Sequence, residues 1–160
     1  MARVLLIGYG NPLRGDDAIG AMAVEHLRAL LTGAQPDHAA DVEFECCHQL
    51  SPELAERLAH CALAIFVDAA ATGEAGTVQV QQLHSGAGAE EQASLTHHLE
   101  PASLLRLTHA LYGHAPEAML VTGSGEQWES GCGLSAPGRQ ALDEICRLVP
   151  RLLQNLRTIG

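Results

Sequence analysis

At 160 residues, with nine Lys plus Arg against nineteen Asp plus Glu and a net charge of −10, the chain is sized for one domain, residues 1–160, that buries its own core. The acidic balance opposes nucleic acid as a partner, because phosphate contacts need clustered cations, and the longest apolar run, Cys61 to Val67, is far short of the ~20 residues of a membrane helix. Five cysteines, an odd number with Cys46 and Cys47 adjacent, fit reduced thiols; Met1 and Ala2 lead straight into the Val4 to Ile7 run with no longer apolar segment or small-residue cleavage site after it, so the expected location is the cytoplasm.

Val4 to Ile7 predicts a short strand ended by Gly8, and Ile19, Met22, Ala23, Leu27, Leu30 and Leu31 then recur at helical spacing up to Gly33. Val42, Phe44 and Cys46 alternate as a second strand, and Ser51-Pro52 supplies an N-cap and a first-turn proline for a helix carrying Leu54, Ala55 and Leu58. Ala62 to Val67 is apolar on both faces, as in a central strand covered by helices, and ends abruptly at Asp68. Thr77 to Leu83 reads as a fourth strand. The stretch Ala69 to Gly76 is too short for a helical crossover, so this strand is expected to run antiparallel.

Ser85 to Ala93 is small and polar, a loop whose tip is placed to close over a site. Pro101 then opens a helix through Leu104, Leu105, Thr108 and Leu111 that Gly113 can end. Ala118 to Thr122 is a fifth strand. Ser135 and Pro137 begin a terminal helix through Leu156, with Pro150 expected to kink it. Alternating strands and helices without a repeat or linker predict an α/β fold, a three-layer α/β/α sandwich on a mostly parallel five-stranded sheet with one antiparallel strand. Sites in such sheets gather at the carboxyl ends of the strands.

The turn after the first strand, Gly8-Tyr9-Gly10-Asn11-Pro12-Leu13-Arg14-Gly15-Asp16-Asp17, fails as a dinucleotide fingerprint, because the third glycine would fall at Leu13. No Gly-Lys-Ser/Thr follows, and two carboxylates stand where a helix amino terminus would receive a phosphate, which suits a cation instead. The bland alternative is that Asp16 or Asp17 caps the helix and complements its dipole. Asp68 emerges from a buried strand at the crevice, an expensive place for an unpaired charge, although a cap or turn role is its alternative. His97 and His98 lie between a polar loop and a helix start, and imidazole is a common ligand for zinc, nickel and copper. Asp17, Asp68 and His97 thus come from three carboxyl-end loops that can share one metal and leave coordination positions open. Cys46, Cys47 and His48 are soft donors too, but strand cysteines are more often small buried hydrophobes. No Gly-x-Ser-x-Gly elbow is present, so a serine triad lacks its nucleophile.

The block Leu6-Ile7-Gly8-Tyr9-Gly10-Asn11-Pro12-Leu13-Arg14-Gly15-Asp16-Asp17-Ala18-Ile19-Gly20 resembles the opening signature of the maturation endopeptidases that trim the large subunit of [NiFe] hydrogenases, and the likeness runs over nearly the whole chain. The resemblance implies that the family's three metal-contacting residues fall on Asp17, Asp68 and His97, with His98 the lesser choice; no separate general base stands out, and Asp16 is a weak candidate for one. Gly133-Leu134-Ser135 also resembles a family element, whereas Ser124-Gly125 stands where an apolar residue and proline are common. Glu45-Cys46-Cys47-His48-Gln49-Leu50 replaces the Asp-Gly-Gly-Thr that many members carry, which points to a separate subgroup.

The activity so implied is removal of the C-terminal extension of a hydrogenase large-subunit precursor. Its cofactor would be nickel that arrives with the precursor, zinc or cadmium being able to occupy the same donors, and the expected state is a monomer. A borrowed metal needs no His-Glu-x-x-His helix. Two other readings are a non-proteolytic nickel checkpoint or chaperone that grips the same precursor, and a small-molecule enzyme using a divalent metal in this crevice.

Overall fold

The computed structural model describes residues 4–34, 41–85 and 99–159. Its strands are β1 (Val4–Tyr9), β2 (Val42–Cys47), β3 (Leu63–Ala70), β4 (Val78–Leu83) and β5 (Glu117–Ser124). The helices are α1 (Ile19–Ala34), α2 (Leu54–Ala59), α3 (Pro101–Tyr112) and α4 (Ala136–Ile159), and a 3-10 turn over Gly15–Ala18 leads into α1.

The strands form one sheet in the order β2-β1-β3-β5-β4. Three neighbouring pairs are parallel and β4 alone runs antiparallel, against β5, as the short connection from β3 requires. Period-two alternation divides the apolar residues between the two sheet faces. Leu6, Ile65, Val67 and Val121 pack under α1 and α4 with Ile19, Leu27, Leu142 and Ile145. Leu5, Ile7, Ala64 and Phe66 pack on the other face with Leu54, Leu58, Leu104 and Leu105 of α2 and α3. Because β1 and β3 are buried on both faces, their sequences are continuous apolar runs, and the expected three-layer sandwich is what forms.

Local boundaries differ from the sequence expectation in two places. β3 does not stop at Asp68 but pairs onward to Ala70, because β5 continues alongside it through Thr122, Gly123 and Ser124. The second helix starts at Leu54 rather than directly after Ser51. Its entry is a tight turn in which Leu54 and Ala55 donate to the carbonyls of Ser51 and Pro52, and no side chain caps it. Gly113 ends α3 in the left-handed conformation, as its position suggested. α4 runs through Pro150 as one element. Among the described residues no helix is long and apolar enough to cross a membrane.

The order β2-β1-β3 sends the chain to opposite sides of β1. α1 covers one face on the way to β2, and α2 covers the other on the way to β3. Such a switch point opens a crevice outside the carboxyl ends of the adjoining strands. Tyr9, the last residue of β1, and Asp68, within β3, follow the last β1/β3 pair, Gly8 and Val67, at that crevice.

Candidate functional site

α1 can pack so closely on β1 and β3 only because glycines face each other. A Cβ on Gly20 would stand 2.5 Å from the carbonyl oxygens of both Tyr9 and Val67, and one on Gly8 would run into the Gly20 carbonyl. Past Tyr9 the chain turns through Gly10 at φ +135°, where a side chain would collide with the backbone of Asp17. The turn is then closed from within. Arg14 N–H donates to the Asn11 carbonyl (3.2 Å), Leu13 N–H to Asn11 Oδ1 (2.9 Å), and Asp17 N–H to the Arg14 carbonyl (3.0 Å). Asn11 N–H donates to Asp17 Oδ2 at 2.8 Å, which fixes the half-buried Asp17 carboxylate over the end of β1.

The two adjacent aspartates have separate tasks. Asp16 is fully buried and faces the segment before α4. It accepts hydrogen bonds from the backbone N–H groups of Glu126 (2.8 Å), Gln127 (3.0 Å) and Ser135 (2.8 Å), and from Ser135 Oγ (2.7 Å). Burial alone would push its pKa up, but the bonds from Ser135, Glu126 and Gln127 outweigh it and hold the carboxyl below its ordinary value. Asp16 is therefore a strut and not a base at the crevice. Gly133-Leu134-Ser135, legible as a motif in the sequence, acquires a physical role here through the two donors of Ser135.

Asp17 and Asp68 line one cavity of about 540 Å3, whose other ionisable lining groups are Tyr9, Arg14, His48 and Glu100. Burial pushes the Asp68 carboxyl up to about 7, and the Asp17 charge adds to the effect, although Ala69 N–H (2.8 Å to Oδ1) and the Tyr9 hydroxyl both donate to it. The Tyr9 hydroxyl is in turn held well above its ordinary pKa, first by burial and then by Asp68. The Asp17 charge opposes ionisation of Asp68 in this cavity, a cost that a bound cation would relieve.

Of the expected site residues, the structure thus brings Asp17 and Asp68 together, and His97 and His98 lie outside the described residues, as does most of the loop after Ser85. Among the described residues no three His, Cys, Asp or Glu side chains are grouped to hold a metal. The thiols do not supply one. Cys46 Sγ turns to the Ala21 carbonyl (3.6 Å) and Glu25 (3.4 Å) on α1, and burial with Glu25 raises it to about 11. Burial likewise raises Cys47, which packs against the α2/α3 core. His48, by contrast, lines the cavity although its neighbouring cysteines do not. Tyr9 and Glu100 are site residues that sequence reasoning passed over. Nothing in a lone tyrosine inside a glycine turn signals that its hydroxyl reaches an aspartate fifty-nine positions later in the chain (68 minus 9).

No family model and no curated protein matches the chain. Solved structures do. The [NiFe] hydrogenase maturation protease HycI of Thermococcus kodakarensis KOD1 superposes with a TM-score of 0.74 at 22% identity, over 96% of this chain and 93% of that one. A hydrogenase 2 maturation peptidase from Thaumarchaeota archaeon SCGC_AB-539-E09 gives 0.67 at 23% identity, over 94% and 97%. The hydrogenase maturating endopeptidase HYBD of E. coli gives 0.69 at 25% identity, over 99% of this chain and 94% of that one.

The chain shares the fold of these [NiFe] hydrogenase maturation endopeptidases.

The signature turn now has a physical reading. Its glycines allow α1 to abut the sheet, Asp16 ties the turn to the start of α4, and Asp17 is what remains facing the crevice. The segment Glu45 to Leu50 also reaches this cavity, through His48, Gln49 and Leu50.

Proposed function

We propose that this chain is an endopeptidase that removes the C-terminal extension of a [NiFe] hydrogenase large-subunit precursor after nickel insertion, acting as a monomer. The observation that carries the reading is the pairing of Asp17 and Asp68 in one cavity at the β1/β3 switch point, in a fold shared with named maturation endopeptidases. A cavity of about 540 Å3 is of a size to take a short extended segment of a protein substrate.

In this reading the nickel is cargo of the substrate, and its chemistry is that of a Lewis acid beside the scissile carbonyl. The donors from this chain fit such a cation. Asp17 offers a carboxylate already oriented by Asn11 N–H, and Asp68, protonated readily in its cavity, ionises when positive charge arrives. His97 supplies the imidazole. A site of two carboxylates and one histidine, without a preformed cage, suits a metal that leaves with its protein, and zinc or cadmium would be held by the same donors.

The test is to incubate the purified protein with nickel-loaded and nickel-free precursor and weigh the products. The loaded precursor is expected to lose its extension and the nickel-free one to stay intact, with Asp17→Ala, Asp68→Ala and His97→Ala each impairing cleavage. Equal processing without nickel overturns nickel dependence. Tight binding with unchanged precursor mass overturns the peptidase reading in favour of a nickel checkpoint.

A further inference from the structure

Five large apolar side chains, Leu13, Leu30, Val80, Leu111 and Tyr112, stand out into solvent among the described residues. Single apolar residues on a surface are ordinary, and four of these lie on α1, on the edge strand β4 or in the last turn of α3. Leu13 is different in exposure, in rigidity and in place.

It is the most exposed of the five, at 70%. Its backbone is nevertheless held on both sides: the N–H donates to Asn11 Oδ1 (2.9 Å), and the carbonyl accepts Gly131 N–H (2.9 Å). The next residue, Arg14, bridges to Ser130, so the tip of the turn is stapled to the 125–135 segment that Asp16 also holds. Asn11 and Arg14 line the cavity that contains Asp17 and Asp68, and Leu13 between them does not. A fixed apolar knob therefore stands outside the rim of the candidate site. A backbone already fixed loses little entropy on binding, so most of the apolar burial is retained as affinity.

We infer that Leu13 is a docking anchor for the folded body of the protein substrate, seating in an apolar depression beside that substrate's cleavage segment. This inference rests on the endopeptidase reading. The position of Leu13 points to its occupant: it stands between Asn11 and Arg14, which line the cavity, so its cover is the part of the precursor that flanks the segment in the cavity. Leu13 touches neither the cavity nor the reacting bond, so it contributes to specificity and affinity and not to the chemical step.

The experiment compares Leu13→Ala, Leu13→Asp and Leu13→Met with the unaltered protein, using nickel-loaded precursor from the same organism. Because the side chain lies outside both cores, thermal unfolding is expected to be unchanged in all three. KM for the precursor is expected to rise roughly tenfold for Leu13→Ala and up to about a hundredfold for Leu13→Asp, with kcat unchanged and Leu13→Met close to the parent. The dissociation constant for the intact precursor, read by calorimetry, should move in parallel and reports on the anchor independently of cleavage. Unchanged KM and unchanged dissociation constant in Leu13→Asp overturn the anchor alone, as does a fall in kcat at constant KM. Failure of the unaltered protein to bind or cut the precursor overturns the endopeptidase reading together with the anchor.

Discussion

Replacing Asp16 tests whether the turn that presents Asp17 depends on a buried strut. Asp16 is fully buried and accepts four hydrogen bonds, three from backbone N–H groups and one from Ser135 Oγ. Asp16→Ala strands all four donors out of water. Breaking a buried charge and its partners costs ~3–5 kcal/mol, a large share of the ~5–15 kcal/mol that holds a domain together. Asp16→Asn keeps the shape but turns one oxygen into an NH2 that must face a donor, which costs ~2 kcal/mol. At about 2–4 °C per kcal/mol for a chain of this size, Asp16→Asn should melt roughly 4–8 °C below the parent at pH 7. The pH dependence has a definite sign. The folded pKa of Asp16 lies below its ordinary 3.8, so its contribution is fully present above that value and is lost as pH falls through the lower, folded value. Circular-dichroism melts at pH 7 and pH 3 should therefore show a gap that narrows on acidification. A parent-like melting temperature for Asp16→Asn at pH 7, or a gap undiminished at pH 3, would refute the strut.

Asp68 carries the opposite sign. With its folded pKa near 7, the unfolded chain releases the proton first as pH rises from about 4 to 7, so stability falls across that window. Asp68→Asn should remove that cost: a rise from 3.8 to about 7 has a ceiling of ~4 kcal/mol, and partial exposure reduces it to ~1–3 kcal/mol of gained stability at pH 8. Urea titrations should show this gain vanish near pH 4, while precursor cleavage is lost at every pH. Gly20→Ala places a methyl group 2.5 Å from two carbonyl oxygens and should cost ~3 kcal/mol or more, read as a fall in melting temperature or as lost soluble expression. Ser135→Ala removes one of the two donors that Ser135 offers Asp16, so a drop of ~1 kcal/mol is expected, smaller than for Asp16→Asn.

Much of the fold was legible because it rests on local patterns. The apolar runs of β1 and β3 marked strands buried on both faces, the short Ala69 to Gly76 link required β4 to be antiparallel, and Gly113 ended α3. Element ends were less legible. Asp68 reads in the sequence as a terminator, yet it lies within a strand whose length is set by the neighbouring β5. A lone strand carries no information about the reach of its partner.

The amino-acid sequence by itself determined the alternation of strands and helices, the signature turn and the candidacy of Asp16, Asp17 and Asp68, because glycine spacing and an aspartate following an apolar run are features of adjacent residues. Only the tertiary structure decided which of the two adjacent carboxylates faces the crevice. Asp16 and Asp17 are chemically identical, and what separates them is the segment over 126–135, which supplies donors to one and leaves the other beside Asp68. The same holds for Tyr9, His48 and Leu13. Their roles come from what lies across from them in space, a relation fixed by the strand order β2-β1-β3 and by the contact between the signature turn and the segment before α4.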